Sequence, residues 1–431
     1  KEETYTFIEE LLQSVKEAFS TRRVHLGMDE AVLLGLGKYL KENGYEKGSV
    51  LIREHCKRVL AICKKLGLEP MIWSDMYITA NTNGGYYEVP ADADCSSWEK
   101  PEKGLGLVYW DYYHDDEKSY EKMLNIHKQL SDDVIFAGGS WIWNGIAPNY
   151  SKTFVCTKAA LQTCKKYQTK EVLCTAWMDN GAETPVDAVW PGVALFAHLG
   201  FHLEYNEKVL EEEFKECVGG NLKDFMALDA FDSLFLNGKA NQEAQNPSKY
   251  LLYQDPLAGI FDQEVVMSGV DTGAYYEKLK EQMAACQENS PEYAALFTYY
   301  EKLAAVLSDK ADLGVRMKAA YDKNQLLALK EIYEKEIPET IQNLEEMKIL
   351  REDLWMSEAK PFGYELMDVK LGAVLTRLNS TRRRVKKYLD GSLPRLQELE
   401  EARLPYFEKN ADKRENRWSQ IISGSDLIDT I

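Results

Sequence analysis

Val24-His25-Leu26-Gly27-Met28-Asp29-Glu30 is a short apolar strand that ends in two adjacent carboxylates. A helical run, Ala31 to Glu42, is expected to follow at once. In a sheet enzyme, polar groups at the carboxyl end of a strand are where chemistry is done. This makes Glu30 a candidate general acid and Asp29 a candidate positioning group. A plainer reading stands beside it: Asp29 caps the helix, and Glu30 sits in its first turn, where the macrodipole favours acids. Seven residues do not decide between them.

Upstream of this stretch lies an amphipathic helix, Tyr5–Phe19. Downstream the pattern repeats. The helical region Ser49–Leu66 leads to a strand at Pro70-Met71-Ile72-Trp73-Ser74-Asp75, and a Gly-, Asn- and Pro-rich loop at 79–104 leads to Leu105–Trp110. Helix Glu117–Leu130 leads to strand Val134–Ala137, helix Lys152–Tyr167 to strand Glu171–Ala176, and helix Val186–Leu199 closes the series. Short apolar strands alternating with amphipathic helices predict a parallel sheet covered on both faces, an α/β fold. Each strand ends in aromatic or acidic residues: Asp29 and Glu30, Trp73 and Asp75, Trp110 and Tyr112, Trp141 and Trp143, Trp177 and Asp179. One tryptophan near a strand end is usually core. Five such ends, all on the carboxyl side of one sheet, point to a single pocket. Beyond residue 205 the strand signals stop and helical periodicity takes over, through runs such as Tyr275–Cys286, Leu326–Ile349, Leu371–Leu389 and Leu393–Tyr406. The expected division is therefore an α/β part over 1–205 and an all-α part over 206–431.

Bulk composition narrows the ligand. The chain has 431 residues, 45% hydrophobic, and a formal net charge of −18. That charge disfavours nucleic acid and anionic membranes as partners, and no apolar run reaches the roughly 18–20 residues of a membrane span. The eight cysteines stand singly, with no C-x-x-C pair, which suits a reducing compartment and a cytoplasmic placement. Tryptophans at strand ends suit the apolar face of a sugar ring, and Asp75, Asp179 and Asn180 offer fixed acceptors for its hydroxyls. The six histidines are scattered, with only His25 and His114 near strand ends, so neither a metal nor another cofactor is expected.

The motif His25-x-Gly27-x-Asp29-Glu30 resembles the signature of glycoside hydrolase family 20, the β-N-acetylhexosaminidases. The stretches Ile72–Met76, Val108–Tyr113 and Ala176–Gly181 resemble later barrel strands of a bacterial subgroup that carries a helical C-terminal domain. The resemblance implies that residues 1–205 are the C-terminal five βα units, strands four to eight, of a (β/α)8 TIM barrel. It implies a retaining, substrate-assisted hydrolysis of terminal β-linked GlcNAc or GalNAc, in which Glu30 is the acid/base and Asp29 orients the substrate's 2-acetamido group. Tyr112 becomes the candidate donor to the acetamido oxygen; in many family members that Tyr lies on the next strand, where this chain has Trp141-Ile142-Trp143. Trp177 and Asp179 grip the terminal sugar, and His25, Trp73, Asp75, Trp110 and Trp141 complete the candidate substrate site. The first three strands and their sugar-gripping Arg have no counterpart here, so the resemblance also implies a portion of a longer enzyme, with little activity expected of the portion alone. The expected partner is a glycan with a terminal N-acetylhexosamine, and the helical part is a candidate homodimer interface. Two other readings are a non-catalytic glycan-binding module on a degenerate or truncated barrel and an unrelated metal-dependent barrel hydrolase.

Overall fold

The computed structural model describes residues 1–82, 84–143, 145–202, 204–236 and 246–406, with the side chain of residue 180 outside the description. Five strands form one parallel sheet in sequence order: β1 (Arg23–His25), β2 (Glu69–Trp73), β3 (Gly106–Trp110), β4 (Val134–Gly139) and β5 (Val172–Thr175). The registers are regular, with Val24 opposite Pro70, Ile72 opposite Leu107, Val108 opposite Ile135 and Ala137 opposite Leu173. Sequential order and parallel pairing are what successive strand–helix–strand crossovers produce. The sheet is a partial (β/α)8 barrel, and an all-helical region follows it.

The chain forms two compact units. The first holds residues 1–139 and 156–175, and with them the whole sheet. Its helices are α1 (Glu2–Ala18), α2 (Gly37–Asn43), α3 (Gly48–Leu66), α4 (Asp75–Thr82), α5 (Glu117–Leu130) and the larger part of helix Tyr150–Lys166. Leu12 of α1 and Val59, Cys63 and Leu66 of α3 form one apolar cluster, against which Val24, Leu26 and Met28 pack. The cluster explains why β1 stays in place although it is only three residues long: its side chains are gripped from the helix layer.

The second unit holds residues 140–155 and 176–406 of the described chain. Helix Ala294–Lys310 packs against helix Thr272–Asn289 and against helix Ile337–Glu358, which in turn packs on helix Glu365–Leu389. Tyr299, Tyr300, Leu303, Met347, Leu371 and Leu378 are completely buried in this unit.

Local chemistry overturns two expected helices and widens a turn of a third. Ala31–Leu36 is a series of turns, not the start of a helix, and the first helical residue after the motif is Gly37. Gly35 and Gly37 both adopt left-handed backbone (φ 77° and 57°), which interrupts an α-helix. Asp29 is therefore not a helix cap. The run Leu326–Ile349 is helical but contains a π segment, Ile332–Glu336, just before Pro338. A proline ring displaces the carbonyl one turn back and offers no N–H, so the helix widens there. Of the expected helix Leu393–Tyr406 only Gln397–Glu400 forms, since Pro394 and Pro405 both lack the donor. No described helix is long and apolar enough to cross a membrane.

Candidate active site

The strand β1 is short by its ladder but continues in two further bonds. Leu26 N–H donates to Met71 at 2.8 Å, and Trp73 N–H donates to Gly27 at 3.1 Å. The backbone then turns sharply, with Gly27, Met28 and Glu30 all at positive φ (71°, 69° and 50°). Left-handed backbone at two non-glycine residues costs on the order of 1–2 kcal/mol each. Its side chains hold the turn. Met28 packs into the α1–α3 cluster, the Cys56 thiol lies 3.5 Å from its sulfur, and Gly27 N–H donates to His25 Nδ1 at 3.0 Å. With Met28 drawn inward, Asp29 and Glu30 are left exposed at the carboxyl end of the strand.

Asp75, at the carboxyl end of β2, binds this turn to its neighbours. It is buried (3% exposed). Its Oδ2 accepts the Glu30 N–H at 2.8 Å, and its Oδ1 accepts the Trp110 indole N–H at 3.4 Å. Burial raises its pKa, the two donors pull it back down, and the charge of Asp29 pushes it up again. His25, on β1, has its ring 4.3 Å from that of Trp73. Because Nδ1 accepts a backbone N–H, Nε2 carries the imidazole proton. Nε2 is buried and has no hydrogen-bond partner among the described residues. Burial lowers the His25 pKa, with a smaller upward pull from Asp29, so the ring is a neutral donor.

The aromatic residues at the ends of β2 and β3 are themselves packed. Trp110 stacks with Tyr86 at 5.0 Å and with Tyr112 at 5.7 Å. Tyr112 is buried, as is Trp73, while Trp110 is half-buried. Asp111 fixes the turn after β3: it accepts from the Tyr109 hydroxyl at 2.8 Å and from Tyr113 N–H at 3.0 Å, and it pairs with His114 Nδ1 at 2.8 Å. That pairing raises the His114 pKa. Behind β2, Ser74 Oγ lies 2.7 Å from both the Tyr86 hydroxyl and His127 Nε2. Sequence reading missed Tyr86, Asp111 and His127. The adjacent Tyr86-Tyr87 pair, inside a loop otherwise rich in Gly, Asn and Asp, is a signal that could have found the first.

The second unit contains the other three expected residues. Trp141 is buried and stacks on Trp143 at 4.2 Å, with Lys152 Nζ 5.0 Å from its ring centre. Trp177 is half-buried, and Asp179 opens a four-residue helix, Asp179–Ala182. Partial burial raises the Asp179 carboxyl. The side chain of Asn180, expected as a further acceptor, lies outside the described residues.

One grouping among the described residues has metal-ligand types, His198 and His202 of helix Trp190–Phe201 with Glu213. Their hydrogen bonds argue against a metal. Asn206 N–H donates to His198 Nε2 at 3.1 Å, so Nδ1 carries the proton and donates to Glu213 at 2.7 Å. His202 Nε2 lies 2.6 Å from the other carboxylate oxygen. A metal at Nδ1 would have to displace that proton while Nε2 still faced an N–H donor.

The carboxyl face of a parallel βα sheet, where these carboxylates and aromatics lie, is where barrel enzymes carry their sites. The family model for the glycosyl hydrolase family 20 catalytic domain matches residues 1–113, and that for the glycoside hydrolase 20C C-terminal domain matches residues 223–418. The chain belongs to glycoside hydrolase family 20. The catalytic match includes His25, Asp29, Glu30, Trp73, Asp75, Trp110 and Tyr112; Trp141, Trp177 and Asp179 lie past its end. No curated protein matches the chain. Among solved structures, the GH138 enzyme targeting pectin rhamnogalacturonan II is similar, with 10% identity and a TM-score of 0.43 over 89% of this chain. This chain spans 65% of the length of that one.

Proposed function

We propose that this protein is an exo-acting β-N-acetylhexosaminidase that releases terminal β-linked GlcNAc or GalNAc with retention of configuration. Glu30 gives its proton to the glycosidic oxygen as the bond to the anomeric carbon breaks. The oxygen of the substrate's own 2-acetamido group, oriented by Asp29, forms the new bond to that carbon. Glu30, now a carboxylate, takes a proton from water. The water oxygen attacks the same carbon and the acetamido oxygen leaves. Two inversions restore the starting configuration. The family resemblance places His25 in the substrate site and assigns Trp177 and Asp179 to the terminal sugar.

The observation that carries this reading is the double role of Asp75. One buried carboxylate holds both the backbone of Glu30 and the indole of Trp110, so the candidate acid is tied to the aromatic strand end. Such a bond to the backbone of one residue fixes position rather than charge, which is what general acid catalysis requires of its scaffold. The test is turnover of an aryl N-acetyl-β-glucosaminide. Glu30→Gln should abolish turnover and retain N-acetylglucosamine binding; undiminished turnover by this variant refutes the acid assignment.

The exposure of both Asp29 and Glu30 favours a second reading, a glycan-binding module without catalysis. It predicts N-acetylhexosamine binding with no cleavage at any pH between about 4 and 8. The eight cysteines, all free thiols, support placement in a reducing compartment.

A further inference from the structure

Four residues beyond Asp179, at the end of the loop that carries Trp177, stands Glu183. It is 2% exposed. A carboxylate at that depth is costly unless several groups meet it. Lys249 forms an ion pair with one oxygen, while Lys370 Nζ lies 3.1 Å from the other, which also accepts the Tyr253 hydroxyl at 2.6 Å. Burial alone would raise the carboxyl; the two lysines hold it below its ordinary value.

The backbone of the same position is held too. Arg351, itself buried, donates from Nη2 to the Ala182 carbonyl at 2.9 Å and from Nε to the Glu183 carbonyl at 3.3 Å. Gly181 and Ala182 adopt left-handed backbone, φ 97° and 54°. For Ala182 that conformation is unfavourable and needs outside support. The support comes from three helices far apart in sequence: Pro247–Tyr253, Ile337–Glu358 and Glu365–Leu389. One buried acid that gathers two lysines and a tyrosine, beside a buried arginine on its backbone, is an expensive way to fill a core, since apolar side chains of the same volume are often as stable or more so. Its distinctive product is a loop with one backbone course.

We infer that Glu183 is a positioning residue, locked by Lys249, Lys370 and Arg351, that sets the conformation of the Trp177–Ala182 loop and through it the affinity for the terminal sugar. The helical region is then part of the substrate-binding machinery rather than an appendage. The inference rests on the assignment of Trp177 and Asp179 to sugar binding made above.

Lys370 is the member to change, because it stands at the rim of the cluster, with 15% of its side chain exposed. The full chain and its Lys370→Met and Lys370→Arg variants are compared by amide hydrogen exchange over residues 176–186 and by N-acetylglucosamine binding. Lys370→Met should speed exchange in that segment by about tenfold or more and leave helix Thr272–Asn289 unchanged. Sugar affinity should fall about tenfold, with KM for an aryl N-acetylglucosaminide rising and kcat nearly constant, and Lys370→Arg should restore both readouts. Unchanged exchange at 176–186 overturns the lock. Faster exchange with unchanged affinity overturns its role in binding. If the unaltered chain binds no N-acetylhexosamine, the proposed function and the binding role fall together, while the exchange result still decides the lock.

Discussion

At Asp75 a single atom exchange separates geometry from charge. Asp75→Asn keeps the shape but replaces one acceptor oxygen with a donor NH2 group, which must then face either the Glu30 N–H or the Trp110 indole N–H. A lost charge-assisted bond and a clash of two donors cost about 1–3 kcal/mol, so kcat/KM on an aryl N-acetylglucosaminide should fall about 10- to 100-fold. A variant within twofold of the parent would show that Glu30 does not depend on Asp75. The residues at strand ends are legible in the sequence. Asp29, Glu30, Asp75 and Trp110 each follow an apolar run, and chain polarity alone puts those positions on the carboxyl side of a parallel sheet. Their partners are not legible there. Ser74 meets His127 across 53 residues, and Tyr86 meets His127 across 41. Nothing in local periodicity encodes a contact at that separation.

The turn after β1 shows how an element is specified by conformation more than by composition. An alanine Cβ at Gly27 would meet only Asp29 Oδ1, at 3.7 Å, so there is room for it. The backbone is the obstacle, because φ is 71°. Gly27→Ala should therefore destabilise the protein by about 1–2 kcal/mol without a packing defect, as read by urea unfolding. Gly67→Ala, with the same φ of 71° in the left-handed helical region and nothing within 4 Å, is the control outside the motif, and should cost about the same stability. If the Gly27 variant alone also lowers turnover, the conformation of the turn matters to the chemistry as well as to the fold. The strands and the long helices follow their periodicity closely, and helix Glu117–Leu130 matches residue for residue. Periodicity fails where one residue type dominates the backbone. Gly35 and Gly37 erase a helix start, and Pro394 and Pro405 reduce an expected helix to one turn, because apolar spacing carries no information about φ or about a missing N–H.

Stability against pH belongs to the whole molecule, since every buried titratable group contributes to one curve. Three buried groups illustrate how. In the first unit His127 is completely buried, with Nδ1 on the Met123 carbonyl at 2.6 Å and Nε2 on Ser74, and burial lowers its pKa to about 4. Between that value and the ordinary 6.5 the unfolded chain binds a proton that the folded chain refuses, so stability falls by about 3 kcal/mol as pH drops through this window. In the second unit Asp262 opposes it. Burial raises its pKa to about 6, so its contribution is full below 3.8 and is lost as pH rises through 6. The acid limb of the curve is thus partly cancelled. The alkaline limb is not. Lys310 is buried, donates to the Leu251 and Gln254 carbonyls at 3.0 and 2.7 Å, and is lowered by burial to about 7. From pH 7 to about 10 the unfolded chain holds the proton on this lysine and the folded chain does not, so stability rises with pH. The net charge of −18 grows more negative over the same range, and self-repulsion pulls the other way. Lys310→Met separates the two effects, because the variant keeps the repulsion and loses the titration. Urea unfolding of both proteins at about pH 7, 8 and 9 should show the parent gaining stability relative to the variant by about 1 kcal/mol per pH unit. The variant will be less stable at each pH, since two carbonyls lose their donor, but only the slope bears on the lysine's ionisation. Parallel curves would mean that Lys310 stays charged in the folded protein throughout, held by Asp255 and Asp262.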